Sequence, residues 1–341
     1  MRAVIMEAPG KVRVGEWETP RPGAGEVLVS PRAVGVCAGD MYIYLGKNPY
    51  VRYPQVAGHE IAGVVAEVGP DVTGLEPGSE VVVEPFLGCG TCYPCRAGKS
   101  NCCANLRIIG VTQAGGFGEL MTAPATHIHK LPKGLGLATA SFAEPVAIGV
   151  QACRRGTVAK GELVLVLGCG PIGLAIIEVA RSRGATVIAA DTQASRLEWA
   201  AKLGAEVHLS DDKLLATILE RTNGEGVPVV MEATGNVKAM EQTVELVTSG
   251  GRIVIVGLVK KGTAVTFPGL DFTRKEMTIV GSRASVRCFP ESLELLASGA
   301  IRYPSVATEF DMWDAPRIFG NLADNPGKVH KAVLVRGADR S

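Results

Sequence analysis

Two textures of hydrophobic and polar positions divide this chain. From the N-terminus to about residue 148, apolar runs are short and end at Gly or Pro. Examples are EVLVS from Glu26, IAGVVAEVG from Ile61 and SEVVVEP from Ser79. Runs of this kind between turn formers predict strands, and their irregular spacing predicts a β-barrel-like domain. From 149 to 286, apolar β-type runs alternate with amphipathic helical stretches. The strand candidates are Leu163–Leu167, Thr186–Ala190, Val227–Met231, Arg252–Val256 and Met277–Val280. Such alternation predicts βαβ units and a parallel sheet covered on both faces. A last run, Ala332–Arg336, is expected to rejoin the first domain, with residues 287–341 returning to it.

Within the first texture, one stretch carries metal chemistry. Cys89, Cys92, Cys95 and Cys103 follow the spacing C-x2-C-x2-C-x7-C. Thiolates this close can wrap one ion tetrahedrally, as a closed structural zinc site requires. The spacing is too tight for several unstrained disulfides. Cys102, beside the fourth ligand, reads as a bystander.

The second texture opens on a dinucleotide-binding fingerprint. The run Leu163–Leu167 leads into Gly168, Gly170 and Gly173, then a helical stretch, then a strand ending in Asp191. Gly168 permits a tight turn, Gly170 lets backbone approach a pyrophosphate, and Gly173 lets helix and strand pack closely. The helix N-terminus offers free N–H groups to the phosphates. This context predicts a Rossmann unit. Asp191 can accept hydrogen bonds from ribose hydroxyls and would repel a 2′-phosphate, which favours NAD over NADP. Arg196 is the nearby base that could soften that preference. Pro171, Ile172, Gly257 and Ser282 are also expected to line the cofactor.

Composition narrows the class further. A length of 341 residues suggests two domains with a sizeable core. The net charge of +1 and an aromatic content of 5% argue against a zinc ribbon that binds nucleic acid. No apolar run is long enough for a membrane span, and the N-terminus lacks a signal-peptide core. The nine cysteines therefore fit a reducing, cytoplasmic setting.

Three further segments hold chemically coherent residues: AVGVCAGD with Cys37 and Asp40, GHEIAG with His59 and Glu60, and AEPVA with Glu144. A thiolate, an imidazole and a carboxylate suit zinc with one position left open for water or substrate. Taken singly, each residue reads more readily as core or structural than as a ligand.

In the order of these segments the chain resembles the zinc-dependent medium-chain dehydrogenases of the alcohol, polyol and threonine kind. The resemblance runs over essentially the whole chain. It implies a GroES-like β-barrel domain beside the Rossmann doubly wound sheet, and two zinc ions and NAD per chain. It places Cys37, His59 and Glu144 at the catalytic zinc. Glu60 matches a carboxylate that approaches or replaces a ligand, and Asp40 an acid that hydrogen-bonds the ligand histidine. The implied reaction passes hydride from a metal-activated hydroxyl to NAD, at a cleft between the domains.

The chain departs from that family's proton relay. Gly39 stands where many relatives carry Ser or Thr, and Tyr42 where many carry His. A path through water near Glu60 or Glu144, with Tyr42, is the expected substitute. The segment CAGDMYIYLGKNPYVRYPQVAGHE and the run GSRAS, from Gly281, are most similar to sugar-acid enzymes, the L-galactonate, L-gulonate and L-idonate 5-dehydrogenases. Arg283 would then clamp a substrate carboxylate, the other reading being a loop arginine that bonds the cofactor or a neighbouring subunit. A polyol such as galactitol or sorbitol, or L-threonine, remains the competing small-molecule substrate. Relatives pair edge strands of their Rossmann sheets, so a homo-oligomer, dimer or tetramer, is expected, with TIVGSRA from Thr278 as the edge candidate.

Overall fold

The computed structural model describes residues 1–337. They form two units, one of residues 1–144, 289–299 and 304–337, the other of residues 145–288 and 300–303. The sequence placed its boundaries at 148/149 and 286/287. It also left 300–303 in the returning segment, whereas the structure groups these residues with the second unit. The buried Glu178 explains that grouping. Its carboxylate accepts hydrogen bonds from the amides of Arg302 and Tyr303.

The first unit is built on a seven-stranded mixed sheet. Its central strand, Glu26–Gly35, pairs antiparallel with Glu60–Val68, Met121–Pro124 and Lys331–Val335. Val27, Val29, Val34, Ile61, Val65 and Leu334 are buried in one core, closed by Phe117 and Phe319 in an edge-to-face pair. Gly35 and Glu60 are opposite each other in the register, so the site begins where these strands meet.

The second unit is a six-stranded sheet, parallel throughout. Its spatial order is Glu206–Leu209, Thr186–Asp191, Leu163–Leu167, Val227–Glu232, Val247–Ile255, Thr278–Gly281. The order reverses between Leu163–Leu167 and Val227–Glu232, the switch point at which such sheets bind ligands. The interior strands read as continuous apolar runs because both faces are covered. Leu165, Ile188, Val230 and Ile253 are fully buried there. Glu206–Leu209 was missed in the sequence. It is an edge strand bearing Glu206 and His208, ion-paired with each other, and charged edge strands lack the apolar run that marks interior ones. No helix among the described residues is long and apolar enough to cross a membrane.

Candidate active site and metal centres

In the cysteine loop, Pro94 starts a single helical turn, Tyr93–Arg96, with Cys92 at its N-cap and Cys95 inside it. A second short turn, Ser100–Cys102, delivers Cys103. The four sulfurs of Cys89, Cys92, Cys95 and Cys103 lie within 4.8 Å of one another. Cys92 is 3.5 Å from Cys95 and 3.7 Å from Cys103, far beyond a disulfide bond. The amides of Cys89 and Asn105 donate to the Cys103 sulfur, which favours a thiolate. Hydrogen bonds, chiefly from Thr91, lower the Cys89 pKa to about 5. Burial, helped by Cys92, pushes Cys95 up to about 12. Opposed shifts among touching thiols mean that their charges compete, a conflict a divalent cation removes. The donor set fits zinc. A Cβ at Gly88 would stand 3.2 Å from the Cys95 sulfur, so the loop passes close there. Cys102 is exposed and outside the cluster.

The second cluster joins Cys37, His59 and Glu60, whose donor atoms also lie within 4.8 Å of one another. Cys37 caps the helix Ala38–Tyr44. Asp40, fully buried in that helix, accepts from the amides of Cys37 and Gly58 at 2.8 and 3.2 Å. Its Oδ1 is also 3.4 Å from Nδ1 of His59. Burial opposes a charged His59, but the Asp40 carboxylate, with help from Cys37, outweighs it and raises the pKa well above the usual value. Asp40 on the Nδ1 side leaves Nε2 for a metal. Thiolate, imidazole and carboxylate together fit zinc.

Glu144 is buried in the first turn of the helix Ala143–Arg155 but lies outside the tight cluster. Burial raises its pKa to about 7, with His59 and Lys331 opposing and Glu60 adding to the rise. Tyr42 is 56% exposed on its helix and does not join the cluster.

Two members of this site escaped the sequence reading. Lys331, in the last strand, places Nζ 2.5 Å from Glu60 and 3.1 Å from the carbonyl of Val36. Gly35 makes room for that pair, since a Cβ there would lie 1.8 Å from Glu60 Oε2. No local motif announces either residue. A lysine at the head of a β run reads as a surface charge, and a glycine at a strand end reads as a turn.

In the second unit, Gly168 has φ +96° and Gly170 caps the helix Pro171–Ser182. A Cβ at Gly173 would lie 1.8 Å from the Gly168 carbonyl, while one at Gly170 would meet nothing within 4 Å. The backbone at Gly170 is thus open to a ligand and Gly173 serves packing, a cradle that fits a pyrophosphate. Asp191 is buried and accepts from the amides of Cys169 and Gln193 at 2.8 and 2.9 Å. Arg196 stands 3.6 Å from it. A cavity of about 580 Å³ is lined by Gly168, Gly170, Asp191, Arg196, Thr234 and Asn236. Pro171, Ile172, Gly257 and Ser282 are not among its lining residues. Ser282 donates its amide to Ile255, and its buried hydroxyl has no hydrogen-bond partner, nor has that of Ser285. Arg283 is exposed between them.

Comparison with known proteins agrees with this geometry. Residues 23–133 match the alcohol dehydrogenase GroES-like domain and residues 171–298 the zinc-binding dehydrogenase family. L-Galactonate-5-dehydrogenase of Escherichia coli K12 is 38% identical, over 88% of each chain. L-Threonine 3-dehydrogenase of Pyrococcus horikoshii is 36% identical, over 82% of each. A short-chain alcohol dehydrogenase from E. coli CFT073, solved with NADH, superposes with a TM-score of 0.92 at 31% identity, over 98% of this chain and 99% of that one. With both family matches in place and relatives this similar over most of their length, the chain belongs to the zinc-binding, alcohol-dehydrogenase-like oxidoreductases.

Proposed function

We propose that this protein is a zinc- and NAD-dependent dehydrogenase that oxidises a secondary hydroxyl of a sugar acid. The convergence of Cys37, His59 and Glu60 on one point, with Asp40 behind the histidine, carries the reading. Cys37, His59 and Glu144 would hold the catalytic zinc, with Glu60 able to take the place of Glu144. Cys89, Cys92, Cys95 and Cys103 would hold a second, structural zinc. Bound zinc supplies Lewis acidity that lowers the pKa of a hydroxyl, and NAD supplies the hydride acceptor.

The residues of the chain do the rest. Asp40 fixes the tautomer and ring orientation of His59. Lys331 neutralises Glu60, so the site does not gather three uncompensated carboxylates. The proton released by the substrate hydroxyl would leave through water beside whichever of Glu60 and Glu144 does not hold the metal. Gly168 and Gly170 receive the pyrophosphate, and Asp191 favours NAD. Arg283 would bind the substrate carboxylate. The similarity to L-galactonate-5-dehydrogenase supports the sugar-acid class, and that to L-threonine 3-dehydrogenase supports an amino acid as the second reading. The nine cysteines, none of them in a disulfide, suit the cytoplasm, and the edge strand Thr278–Gly281 suits pairing into a homo-oligomer.

The test is NADH formation by zinc-loaded protein with hexonates, hexitols and L-threonine in parallel. Preference for a hexonate is expected. Preference for L-threonine or a hexitol would discard the carboxylate clamp on a sugar acid and keep the zinc and NAD assignments.

A further inference from the structure

Glu232 is a fully buried acid that neither the fingerprint nor the metal sites use. It ends the strand Val227–Glu232, next to the strand that leads into the glycine turn. Its Oε1 accepts from the amide of Thr234 at 2.7 Å, the amide of Gly235 at 3.0 Å and the hydroxyl of Thr234. Its main-chain carbonyl accepts from the amides of Val256 and Gly257, at 2.8 and 3.0 Å. One residue thereby ties together the turns after two neighbouring strands. Oε2 makes no hydrogen bond and faces Gly257, where a Cβ would stand 2.7 Å away.

The consequence reaches the cofactor cavity through Thr234. A Cβ on Gly168 would meet the Thr234 methyl at 2.8 Å, so the two residues are nearly in contact. Gly168, Ala233, Thr234 and Asn236 all line the cavity. Thr234 Oγ1 in turn accepts from the amide of Asn236 at 2.9 Å. The chain of contacts therefore runs from a buried carboxylate, through one threonine, to the first glycine of the phosphate turn. Burial raises the Glu232 pKa, while Thr234 and Gly235 oppose that rise, so the bonds to the turn favour the charged form. An acid placed only to fill the core would suffer the same burial without aiming three donors at one oxygen.

We infer that Glu232 is a positioning residue for the dinucleotide: it holds the turn 233–236 against Gly168 and so fixes one wall of the cofactor cavity. This rests on the cofactor reading above. It predicts that the acceptor oxygen matters more than the charge. Glu232→Gln can keep an amide oxygen in the place of Oε1, whereas Glu232→Asp withdraws the acceptor by one methylene.

The experiment is a fluorescence titration of NADH into the purified full chain and the two variants, with thermal unfolding measured alongside. Glu232→Asp is expected to raise the NADH Kd by about tenfold or more, and Glu232→Gln to stay within about threefold of the parent. A folded Glu232→Asp protein with the parental Kd overturns the inference even if its Tm falls, because the acid is then purely structural. If Glu232→Asp does not fold, Thr234→Val takes its place. It keeps a methyl near Gly168 and the amide bond to Glu232 but loses both bonds of the hydroxyl, to Glu232 and from Asn236, and an unchanged Kd there likewise overturns the inference. A parent chain that binds neither NADH nor NADPH would overturn the cofactor reading itself. Parental binding with indifferent variants would overturn only the role of Glu232.

Discussion

The ammonium of Lys331 stands 2.5 Å from both carboxylate oxygens of Glu60, and each side chain is at most 2% exposed. Two buried opposite charges in this geometry satisfy each other, but either alone would be a charge without a partner in a dry site. Lys331→Met is therefore expected to destabilise the first unit by about 3–5 kcal/mol. Adding Glu60→Gln should recover a large part of that loss. Urea unfolding of the parent, both single variants and the double variant measures the coupling, and additive losses would sink the pairing.

In the metal-free protein Glu144 and His59 should contribute stability that is lost as pH rises, against an opposite contribution from the lowered Cys89. Glu144 is raised from the usual 4.5 to about 7, and His59 is raised as well. Both bind protons more tightly in the folded chain than in the unfolded one. The contribution of Glu144 is full below about pH 4.5 and is lost as pH climbs through about 7. That of His59 is full below its unfolded value and lost at its own higher one. For Glu144 the change is on the order of 3 kcal/mol. The difference in denaturant midpoint between chelator-treated parent and Glu144→Gln protein, at pH 5 and at pH 8, tests the sign for Glu144. Glu144→Gln should flatten the profile.

Cys103→Ser is expected to remove one zinc per chain and lower Tm, because the proposed site would lose the buried thiolate that two amides favour. Cys102→Ser, exposed and outside the cluster, should change neither. Native mass spectrometry counts the metal in both.

Two glycines four residues apart make opposite predictions. Gly35→Ala drives a methyl to within 1.8 Å of Glu60 Oε2, so it should cost roughly 1–3 kcal/mol and most of the activity. At Gly39 a Cβ would meet His59 at 3.5 Å and Cys37 at 4.0 Å, ordinary contact distances. Gly39→Ser should fold normally, with a stability change under about 1 kcal/mol. A Gly39→Ser protein that failed to fold would show that the missing relay hydroxyl is excluded by space.

Arg283→Ala should raise the KM for a hexonate by about tenfold or more and leave a hexitol unaffected, if the guanidinium holds a carboxylate. Equal loss with both substrates would move Arg283 out of the substrate site.

The cysteine loop and the glycine fingerprint were legible because each packs its chemistry into one short segment, where spacing alone implies geometry. The second metal cluster was not legible in that way. Cys37 lies far in sequence from His59 and Glu60, and only the resemblance to a family brought them together, along with Glu144, which the structure leaves outside the tight cluster. Lys331 and Gly35 stayed hidden because their meaning is a contact with Glu60 across strands, which no local pattern encodes. Glu232 was read one residue beyond the end of a strand. Its role depends on turns that the sequence left undrawn. The strand Glu206–Leu209 escaped because its charges blunt an edge and erase the apolar signal.

The partner of Glu60 is separated from it by 271 positions and lies in the final strand. Without Lys331 the Glu60 carboxylate would be a buried charge with no partner, so the segment around GHE can pack fully only once the strand Lys331–Val335 is in place. A chain arrested before that strand should expose the segment to proteolysis, and its release should mark the moment at which the first unit closes.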